Sequence, residues 1–287
     1  MQGILTVMLP PATVSIRYPV RPSPEAWILP EGIVPESPVH DQVAETLKLL
    51  LSVWASRSAT KIRIARNLAI RFYEQDERVG IDPDICVLAP PPDDLDELGS
   101  VCLWKPGHTA PTLCIEIVST NHPNKDYVAI QDRYAALGAH ELVVFDPMLA
   151  GPKSLGGPVA LQLWRRDAGR AFDRLHFGKA PVYSEVLDAW LIAEGRTLLI
   201  ADDRAGTRRW LTEAEQNSLE TKTARAEAER AQAEADRAQA NADRAQANAE
   251  RAQADAERAQ ADADRNRELR EGVERELEAL KALLAKR

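Results

Sequence analysis

The amino-acid sequence predicts an α/β fold in which helices flank a mixed sheet, followed by a long C-terminal α-helix that forms a coiled coil. Short apolar runs, such as residues 85–89 and 113–118, are typical of buried strands. Apolar residues at three- and four-residue steps before and after these runs indicate amphipathic helices. From Ser218 onward the chain is nearly all Ala, Arg, Glu, Asp, Gln and Asn, which is typical of one extended helix.

Composition divides the 287 residues into four segments. We expect an extended proline-rich arm over residues 1–29, an α/β core over residues 30–150, a β-rich extension packed on the core over residues 151–217, and a heptad-repeat helix over residues 218–287. Every Trp, Tyr and Phe lies before residue 218, so the globular core must form from that part of the chain.

The charge of the chain argues against one class of protein. The net charge of −8 consists of −6 on residues 1–217 (22 basic, 28 acidic) and −2 on residues 218–287 (14 basic, 16 acidic), which does not fit a polycation that coats nucleic acid.

The three cysteines form no C-x-x-C pair, so neither a disulfide framework nor a zinc knuckle is expected. No apolar stretch reaches about 18 residues and no secretion leader is recognisable, so we expect a cytoplasmic protein that does not enter the membrane.

The first elements follow from proline content and periodicity. Eight of the nineteen prolines lie in residues 10–38 and keep this segment extended. From Val39 to Trp54 apolar residues recur at helical spacing, which predicts the first amphipathic helix. Residues 61–73 then alternate basic with apolar side chains, which predicts a strand with one buried and one positive face. Its candidate nucleic-acid-binding residues are Lys61, Arg63, Arg66 and Arg71, and the alternative is a solvated outer face of a sheet.

The central elements follow in the order strand, strand, helix, strand. Asp84 opens the apolar run 85–89, and Glu116 lies inside the run 113–118. Residues 126–137 have the pattern of a helix that the following glycine ends, and residues 141–147 form a further apolar strand. This order indicates a mixed sheet sandwiched by helices.

Alanines in the tail repeat at four- and three-residue steps from Ala231 to Ala263, which is the spacing of a heptad array. Because an alanine seam buries little area, this part fits either a coiled coil or a single solvated helix. The last turns differ, since they carry an apolar seam of Leu269, Val273, Leu277, Leu280 and Leu284. We therefore expect a homo-oligomer that forms through residues 267–287.

Two carboxylates in predicted strands are the strongest chemical signal. Removing an ionised carboxylate from water costs several kcal/mol unless a cation, a metal or hydrogen bonds compensate. Glu116 therefore has a partner or lines a polar cleft, and together with Asp84 it suggests a divalent-metal site. The competing structural interpretations are a turn cap for Asp84 and an ion pair of Glu116 with an arginine such as Arg63 or Arg66.

The central part of the chain resembles the Uma-type restriction endonuclease family, which is placed in the PD-(D/E)XK nuclease superfamily. The resemblance covers about residues 30–150 and is carried by the order and spacing of short motifs. They are Pro83-Asp84, Glu116-Ile117-Val118-Ser119, Lys125-Asp126, Tyr134-Ala135-Ala136-Leu137-Gly138 and Glu141-Leu142-Val143-Val144-Phe145-Asp146-Pro147.

This resemblance implies a restriction-endonuclease-like fold that hydrolyses DNA phosphodiester bonds with Mg²⁺ or Mn²⁺. Asp84 resembles the metal-binding Asp of the superfamily, and Glu116 resembles its second acidic ligand. Glu36, ahead of Glu31, is the candidate for a further acidic metal ligand near the first helix. The possible accessory residues are His40, Asp126 and Tyr134.

The lysine of the superfamily motif is absent, because Val118 occupies its position. Residues 116 and 118 point to the same face of a strand, so a lysine there would reach the reacting groups. Arg133 and Lys125 are the candidate catalytic cations that remain. An arginine can stabilise negative charge but is a poor proton shuttle.

Two functions from different classes follow. The first is a metal-dependent DNA endonuclease that oligomerises through its helical tail. The second is a catalytically inactive nuclease-fold protein that binds DNA or acts as a scaffold, which Val118 and the acidic body favour. A purely structural coiled-coil protein would not explain a charged residue in a buried strand. His108 and His122 are expected to be solvated, because no second His or Cys stands at metal-ligand spacing.

Overall fold

The computed structural model describes residues 15–16, 27–29, 37–123, 127, 130–167 and 171–284. Most of the predicted arm over residues 1–29 therefore lies outside the described residues. The chain divides into two units, and the boundary falls between Gln216 and Asn217.

The described residues form four α-helices and thirteen strands. The helices are α1 (Pro38–Ser56), α2 (Leu95–Leu98), α3 (Ile130–Leu137) and α4 (Glu213–Leu284). The strands are β1 (Ser15–Ile16), β2 (Arg63–Ala65), β3 (Ala69–Arg71), β4 (Gly80–Ile81), β5 (Ile85–Leu88), β6 (Ser100–Cys102), β7 (Leu113–Ile117), β8 (Glu141–Phe145), β9 (Leu161–Arg166), β10 (Phe172–Gly178), β11 (Val182–Ser184), β12 (Ala189–Glu194) and β13 (Thr197–Ala201).

The main sheet has seven strands in the order β1-β10-β9-β8-β7-β5-β2. Its β7–β8 pair is parallel and the other pairs are antiparallel, so the sheet is mixed. Two three-stranded sheets accompany it, in the orders β11-β12-β13 and β4-β3-β6. The predicted α/β fold, with a mixed sheet, flanking helices and a long C-terminal helix, is confirmed.

Helix α1 forms where the sequence provides a cap, a proline and an apolar stripe. The side chain of Ser37 accepts a hydrogen bond from the backbone N–H of His40 at 3.3 Å, and Pro38 occupies the first turn. Val43, Leu47 and other residues of one helix face are buried in a core that they share with one face of the main sheet.

The other face of the main sheet packs under α3. Tyr134, Ala135 and Leu137 of this helix share a second core with alternate residues of the central strands. The helix ends where predicted, since Gly138 has a φ of 91°, a left-handed conformation that favours glycine. Because strand side chains alternate, every second residue of β5, β7 and β8 faces α3.

The predicted basic strand over residues 61–73 is wrong as one continuous element. The structure divides it into β2, in the main sheet, and β3, in a smaller sheet. Asn67 lies between them with a φ of 48°, and this turn redirects the chain. Arg63 and Arg71 therefore belong to different sheets.

Residues after 158 extend the folded body in two ways. β9 and β10 continue the main sheet beyond β8. β11, β12 and β13 form a separate meander, whose apolar residues Leu191, Leu198 and Ile200 are buried in the same core as α1. Trp54 of α1 stacks on Trp210, which follows this meander, with ring centroids 6.2 Å apart.

Helix α4 is a single helix of 72 residues with mainly exposed side chains. Its glutamines donate to carboxylates four residues later, a pairing that supports an isolated helix. The pairs are Gln232–Asp236, Gln239–Asp243, Gln246–Glu250, Gln253–Glu257 and Gln260–Asp264. Within the described part of the chain, no helix combines the length and apolar character needed to cross a membrane.

Candidate functional site

Asp84 directly precedes β5, and Glu116 lies in β7, the neighbouring strand of the main sheet. β5 and β7 are antiparallel, with Ile85 opposite Ile115 and Cys86 opposite Cys114. One step further along this register, Asp84 stands opposite Glu116. By alternation both carboxylates are on the sheet face that α3 covers. The sequence analysis did not predict this cross-strand relationship, because the pairing of the two strands could not be read from either one.

The carboxylate of Asp84 is held from two directions. The backbone N–H of Ile117 donates to Oδ2 at 2.7 Å, and Nε2 of His40 lies 3.0 Å from the same oxygen. Both hydrogen bonds that the described residues make to Asp84 involve Oδ2, which leaves Oδ1 for water or a cation. The side chain of Asp84 is 10% exposed, so solvent reaches this end of the site.

Glu116 is bound by the helix above it. The Tyr134 hydroxyl donates a hydrogen bond to Oε1 of Glu116, and both side chains are buried. Burial raises the pKa of Tyr134 well above its usual value, and the negative charges of Glu116 and Asp84 raise it further. Tyr134 therefore remains a protonated donor to Glu116.

Cys86 and Cys114 lie directly beside this cluster. They oppose each other across the β5–β7 pair and face the same side as the two carboxylates. Burial raises the pKa of Cys86 to about 12, and burial together with Cys86 and Glu116 raises the pKa of Cys114. Both buried thiols therefore favour the neutral form, and they form the apolar floor of the site.

Val118 stands two residues after Glu116, at the position where the family resemblance implies a lysine. Its side chain is 1% exposed and packs in the core beneath α3, near Tyr134. A charged side chain at this position would displace that packing, so this strand face offers no cation next to Glu116.

The residues present allow a divalent cation with partial protein coordination. No group of three or more His, Cys, Asp or Glu side chains within the described residues is arranged to hold a metal ion. Mg²⁺ commonly binds through one or two carboxylates and keeps several waters, however, so a carboxylate pair in which Asp84 makes its hydrogen bonds through Oδ2 alone fits it. Two adjacent carboxylates also repel each other when ionised, which favours a cation between them.

The four basic candidates are spread over the surface and paired with acidic side chains. Lys61 lies 3.2 Å from Asp93, and Arg63 lies 2.9 Å from Asp96. Arg66 bridges Asp41 and Glu45 of α1 at 3.0 and 3.1 Å, which ties β2 to that helix. Arg71 donates to the backbone carbonyl of Glu77 at 2.7 Å.

Several sequence candidates have no description in the structure. Glu31, Glu36, Lys125 and Asp126 lie outside the described residues. Arg133 is described, half-buried, on α3 one residue before Tyr134. Consecutive helix residues point about 100° apart, so Arg133 and Tyr134 leave the helix in different directions.

Two of the named structural alternatives for the carboxylates are not formed. Arg63 and Arg66 bind other acidic residues instead of Glu116. Asp84 does not cap a local turn, because its amide donor is on the neighbouring strand.

His122 is exposed as expected, but the expectation for His108 is wrong. The side chain of His108 is buried, accepts from the backbone N–H of Cys102 at 2.8 Å and lies 2.8 Å from Asp94.

A second buried carboxylate cluster was missed by the sequence analysis. Glu141 at the start of β8 is fully buried and contacts Arg165 at 2.8 Å. It also accepts from the hydroxyl of Ser184 at 2.5 Å and from the backbone N–H of Glu185 at 2.8 Å. These bonds satisfy the carboxylate with protein groups, so Glu141 joins the main sheet to the β11–β13 meander.

Comparison with known proteins gives a family match and a distant structural likeness. Residues 17–151 match the family model "Uma2: Putative restriction endonuclease". A crystal structure of a "putative nuclease belonging to DUF820" from Anabaena variabilis ATCC 29413 has 15% sequence identity and a TM-score of 0.37, over 54% of this chain and 76% of that chain. No curated protein matches the chain. The resemblance inferred from the motifs is confirmed, since the segment that carries Asp84, Glu116 and Tyr134 matches the Uma2 restriction endonuclease family.

Proposed function

We propose that this chain is a metal-dependent endonuclease that hydrolyses DNA phosphodiester bonds, with Asp84 and Glu116 as its metal ligands. The observation that supports this most is the cross-strand placement of the two carboxylates, with both hydrogen bonds of Asp84 made through Oδ2. The Uma2 match over the same segment favours a nuclease as well.

In this proposal the two carboxylates hold the cation while neighbouring groups fix their orientation. His40 and the Ile117 amide hold one oxygen of Asp84, and the Tyr134 hydroxyl holds one oxygen of Glu116. A bound Mg²⁺ or Mn²⁺ would supply a water of lowered pKa and would stabilise the charge that develops on the phosphate. Glu36 is the proposed further ligand.

The proposed catalytic cations are Arg133 and Lys125. Arg133 belongs to the helix that covers the site, and it can stabilise negative charge on a phosphate without transferring a proton. Proton transfer is then assigned to water at the cation. Asp126 is retained as an accessory residue next to Lys125.

DNA is proposed to contact the basic residues that are easiest to release from their acidic partners. The side chains of Lys61 and Arg63 are 68% and 55% exposed, and their partners are more exposed still. Such surface pairs contribute only about 0–1 kcal/mol, so a phosphate can replace the carboxylate. Arg66 and Arg71 are less exposed and are proposed as secondary contacts.

The test is cleavage of supercoiled plasmid and of single-stranded DNA with Mn²⁺ or Mg²⁺. The wild-type chain is expected to nick DNA, and Glu116→Gln and Asp84→Asn are expected to lose at least about a hundredfold in rate. Glu194→Gln, an exposed acidic position on β12, is the matched control and should keep wild-type activity. Equal nicking by all four proteins would reveal a contaminating nuclease and contradict the assignment.

A second candidate function is a catalytically inactive nuclease fold that binds DNA or acts as a scaffold. The buried Val118 at the motif lysine position favours it. This alternative predicts DNA binding without cleavage under every metal condition.

For either function, Lys61→Ala combined with Arg63→Ala should weaken DNA binding and lower the slope of log K against log salt by about 0.9 per lost phosphate contact.

The tail is proposed to make the protein a homo-oligomer through residues 267–287, because Leu269, Val273, Leu277 and Leu280 are exposed in the single chain.

The three cysteines are free and buried, which suits a reducing compartment such as the cytoplasm.

A further inference from the structure

The tail helix carries one uninterrupted heptad phase from the alanine repeat into its leucine-rich end. Val273 and Leu280 occupy d positions, and Leu277 and Leu284 occupy a positions. The heptad assignment continues from these residues towards the N-terminus in steps of seven without a break. Every a and d position from Ala224 to Ala263 is then alanine. No residue is inserted or lost between the alanine and leucine parts, so a single seam runs along the helix.

The alanine repeat cannot fix how two helices align. Each heptad repeats alanine at a and d, glutamine at e, arginine at c and an acidic residue at b. The e-position glutamines are already bonded within the helix to the b-position acids, as in Gln246–Glu250 at 3.1 Å. A shift by seven residues would therefore give nearly the same contacts, and the register must come from another part of the tail.

The leucine-rich end supplies that information through apolar area and charge. Val273, Leu277 and Leu280 are 64%, 51% and 58% exposed in the single helix, so the described chain leaves the seam uncovered. At its flanks Asp262 and Glu276 occupy g positions, while Arg267 and Lys281 occupy e positions.

These flanking charges match a parallel pair in register. In a parallel two-stranded coiled coil, a g residue faces the e residue of the next heptad of the partner, five positions later. Asp262 then faces Arg267 and Glu276 faces Lys281, so both charged g–e contacts of this region have opposite signs. Within one helix, Arg267 and Lys281 lie 3.7 and 3.1 Å from Asp264 and Glu278, and these exposed pairs are weak enough to share the cation.

One polar core position adds to the register. Asn266 falls at a d position between the alanine and leucine parts. An asparagine in a coiled-coil core is tolerated best opposite its own copy, where the two amides can hydrogen-bond, and it penalises shifted alignments. Arg270 falls at the next a position and has only donors, so its charged end must extend out of the core to solvent. An antiparallel pair would not place Asn266 opposite its own copy, and it would bring e against e and g against g.

We infer that residues 262–284 pair with the same segment of a second copy as a parallel, in-register, two-stranded coiled coil. This inference rests on the self-association proposed above and specifies its partner, its orientation and its register. The alanine seam continues the pairing in the same phase, and the starts of the two tail helices at Glu213 lie at the same end of the pair.

The test uses the full chain in sedimentation velocity over a range of concentrations, combined with mild oxidation of single-cysteine variants. Val273→Cys places a thiol at a d position, which meets its own copy only in the parallel, in-register pair. Ala282→Cys, at an f position on the outside, and the wild-type chain, whose cysteines are buried, are the controls. The expected result is a concentration-dependent dimer and a disulfide-linked dimer from Val273→Cys alone.

Charge reversal tests the same pairing without a disulfide. Glu276→Lys turns two attractive contacts into two repulsive ones and is expected to weaken dimerisation about tenfold, and Glu276→Lys with Lys281→Glu is expected to restore it. Positions 276 and 281 are five apart on one helix, so this rescue must act between helices. A monomer at all concentrations would overturn self-association itself. A dimer that Val273→Cys does not link, or that the double reversal does not restore, would overturn only the parallel register.

Discussion

The carboxylate of Asp84 accepts a hydrogen bond from the backbone N–H of Ile117 at 2.7 Å, so the residue after Glu116 fixes the position of the Asp84 side chain. The Asp84 side chain thereby accepts a hydrogen bond from a backbone N–H of β7, just beyond the last paired residues of β5 and β7. Asp84 has a structural role as well as the proposed metal-binding role, and substitutions can separate the two.

Replacing Asp84 is therefore expected to affect stability and metal binding to different degrees. Asp84→Ala removes the acceptor for the buried Ile117 amide and should lower the free energy of unfolding by about 1–3 kcal/mol. Asp84→Asn keeps a carbonyl oxygen for that amide and should cost less, while it weakens Mn²⁺ binding as much as Asp84→Ala does. Urea unfolding and Mn²⁺ titration by calorimetry measure the two effects. Equal stability of the two variants would contradict the structural role.

The Tyr134–Glu116 hydrogen bond should contribute measurably to stability. Tyr134→Phe removes the only hydroxyl of this side chain and leaves a buried carboxylate oxygen without that donor, which should cost about 1.5–3 kcal/mol. In the background of Glu116→Gln the same substitution should cost less, because the acceptor is no longer charged. A double-mutant cycle from urea unfolding gives the coupling energy. A coupling energy of zero would show that the contact does not persist in solution.

Burial decides which arginine pairs matter for the fold. Arg165→Met leaves the fully buried Glu141 without its cation and is expected to lower the free energy of unfolding by about 3–5 kcal/mol. Arg63→Met removes a pair of similar length, but Arg63 and Asp96 are both exposed, so the expected change stays within about 1 kcal/mol. Urea unfolding of the two variants gives the comparison. Similar losses in both would contradict the argument from burial.

The features that the sequence predicted correctly depend on local pattern. Helix α1 followed from its apolar stripe, and the end of α3 followed from Gly138. The position of Glu116 in a buried strand followed from the apolar residues around it. Each of these signals lies within about 20 residues, so it can be read without knowing which segments meet.

The features that the sequence did not predict depend on distant partners. Glu141 is buried because Arg165 and Ser184, both far along the chain, satisfy it. His108 is buried because Asp94 and the Cys102 amide bind its two nitrogens. The pairing of β5 with β7, which brings Asp84 opposite Glu116, is likewise a property of the folded sheet. The alternating basic residues failed as one strand because a single left-handed residue, Asn67, redirects the chain.

Alkaline pH should destabilise the folded body through a buried thiol and a buried phenol. Burial raises the pKa of Cys86 from 9.0 to about 12, and the pKa of Tyr127 is raised from 10.0 to about 12, chiefly by burial. Above pH 9 the unfolded chain releases these protons while the folded chain keeps them. The folded state then binds more protons, so the free energy of unfolding falls as pH rises between about 9 and 12.

Removing one of these groups should reduce the pH dependence of the free energy of unfolding by the contribution of one titrating proton. Cys86→Ala is expected to lower the slope between pH 9.5 and 11 by up to about 1.4 kcal/mol per pH unit, because a fully raised thiol contributes that amount. Val87→Ala, at the adjacent and equally buried position, removes apolar volume without a titrating group and should keep the wild-type slope at lower overall stability. Urea unfolding at several pH values measures both. An unchanged slope in Cys86→Ala would mean that this thiol ionises in the folded protein, and the site floor would then be open to water.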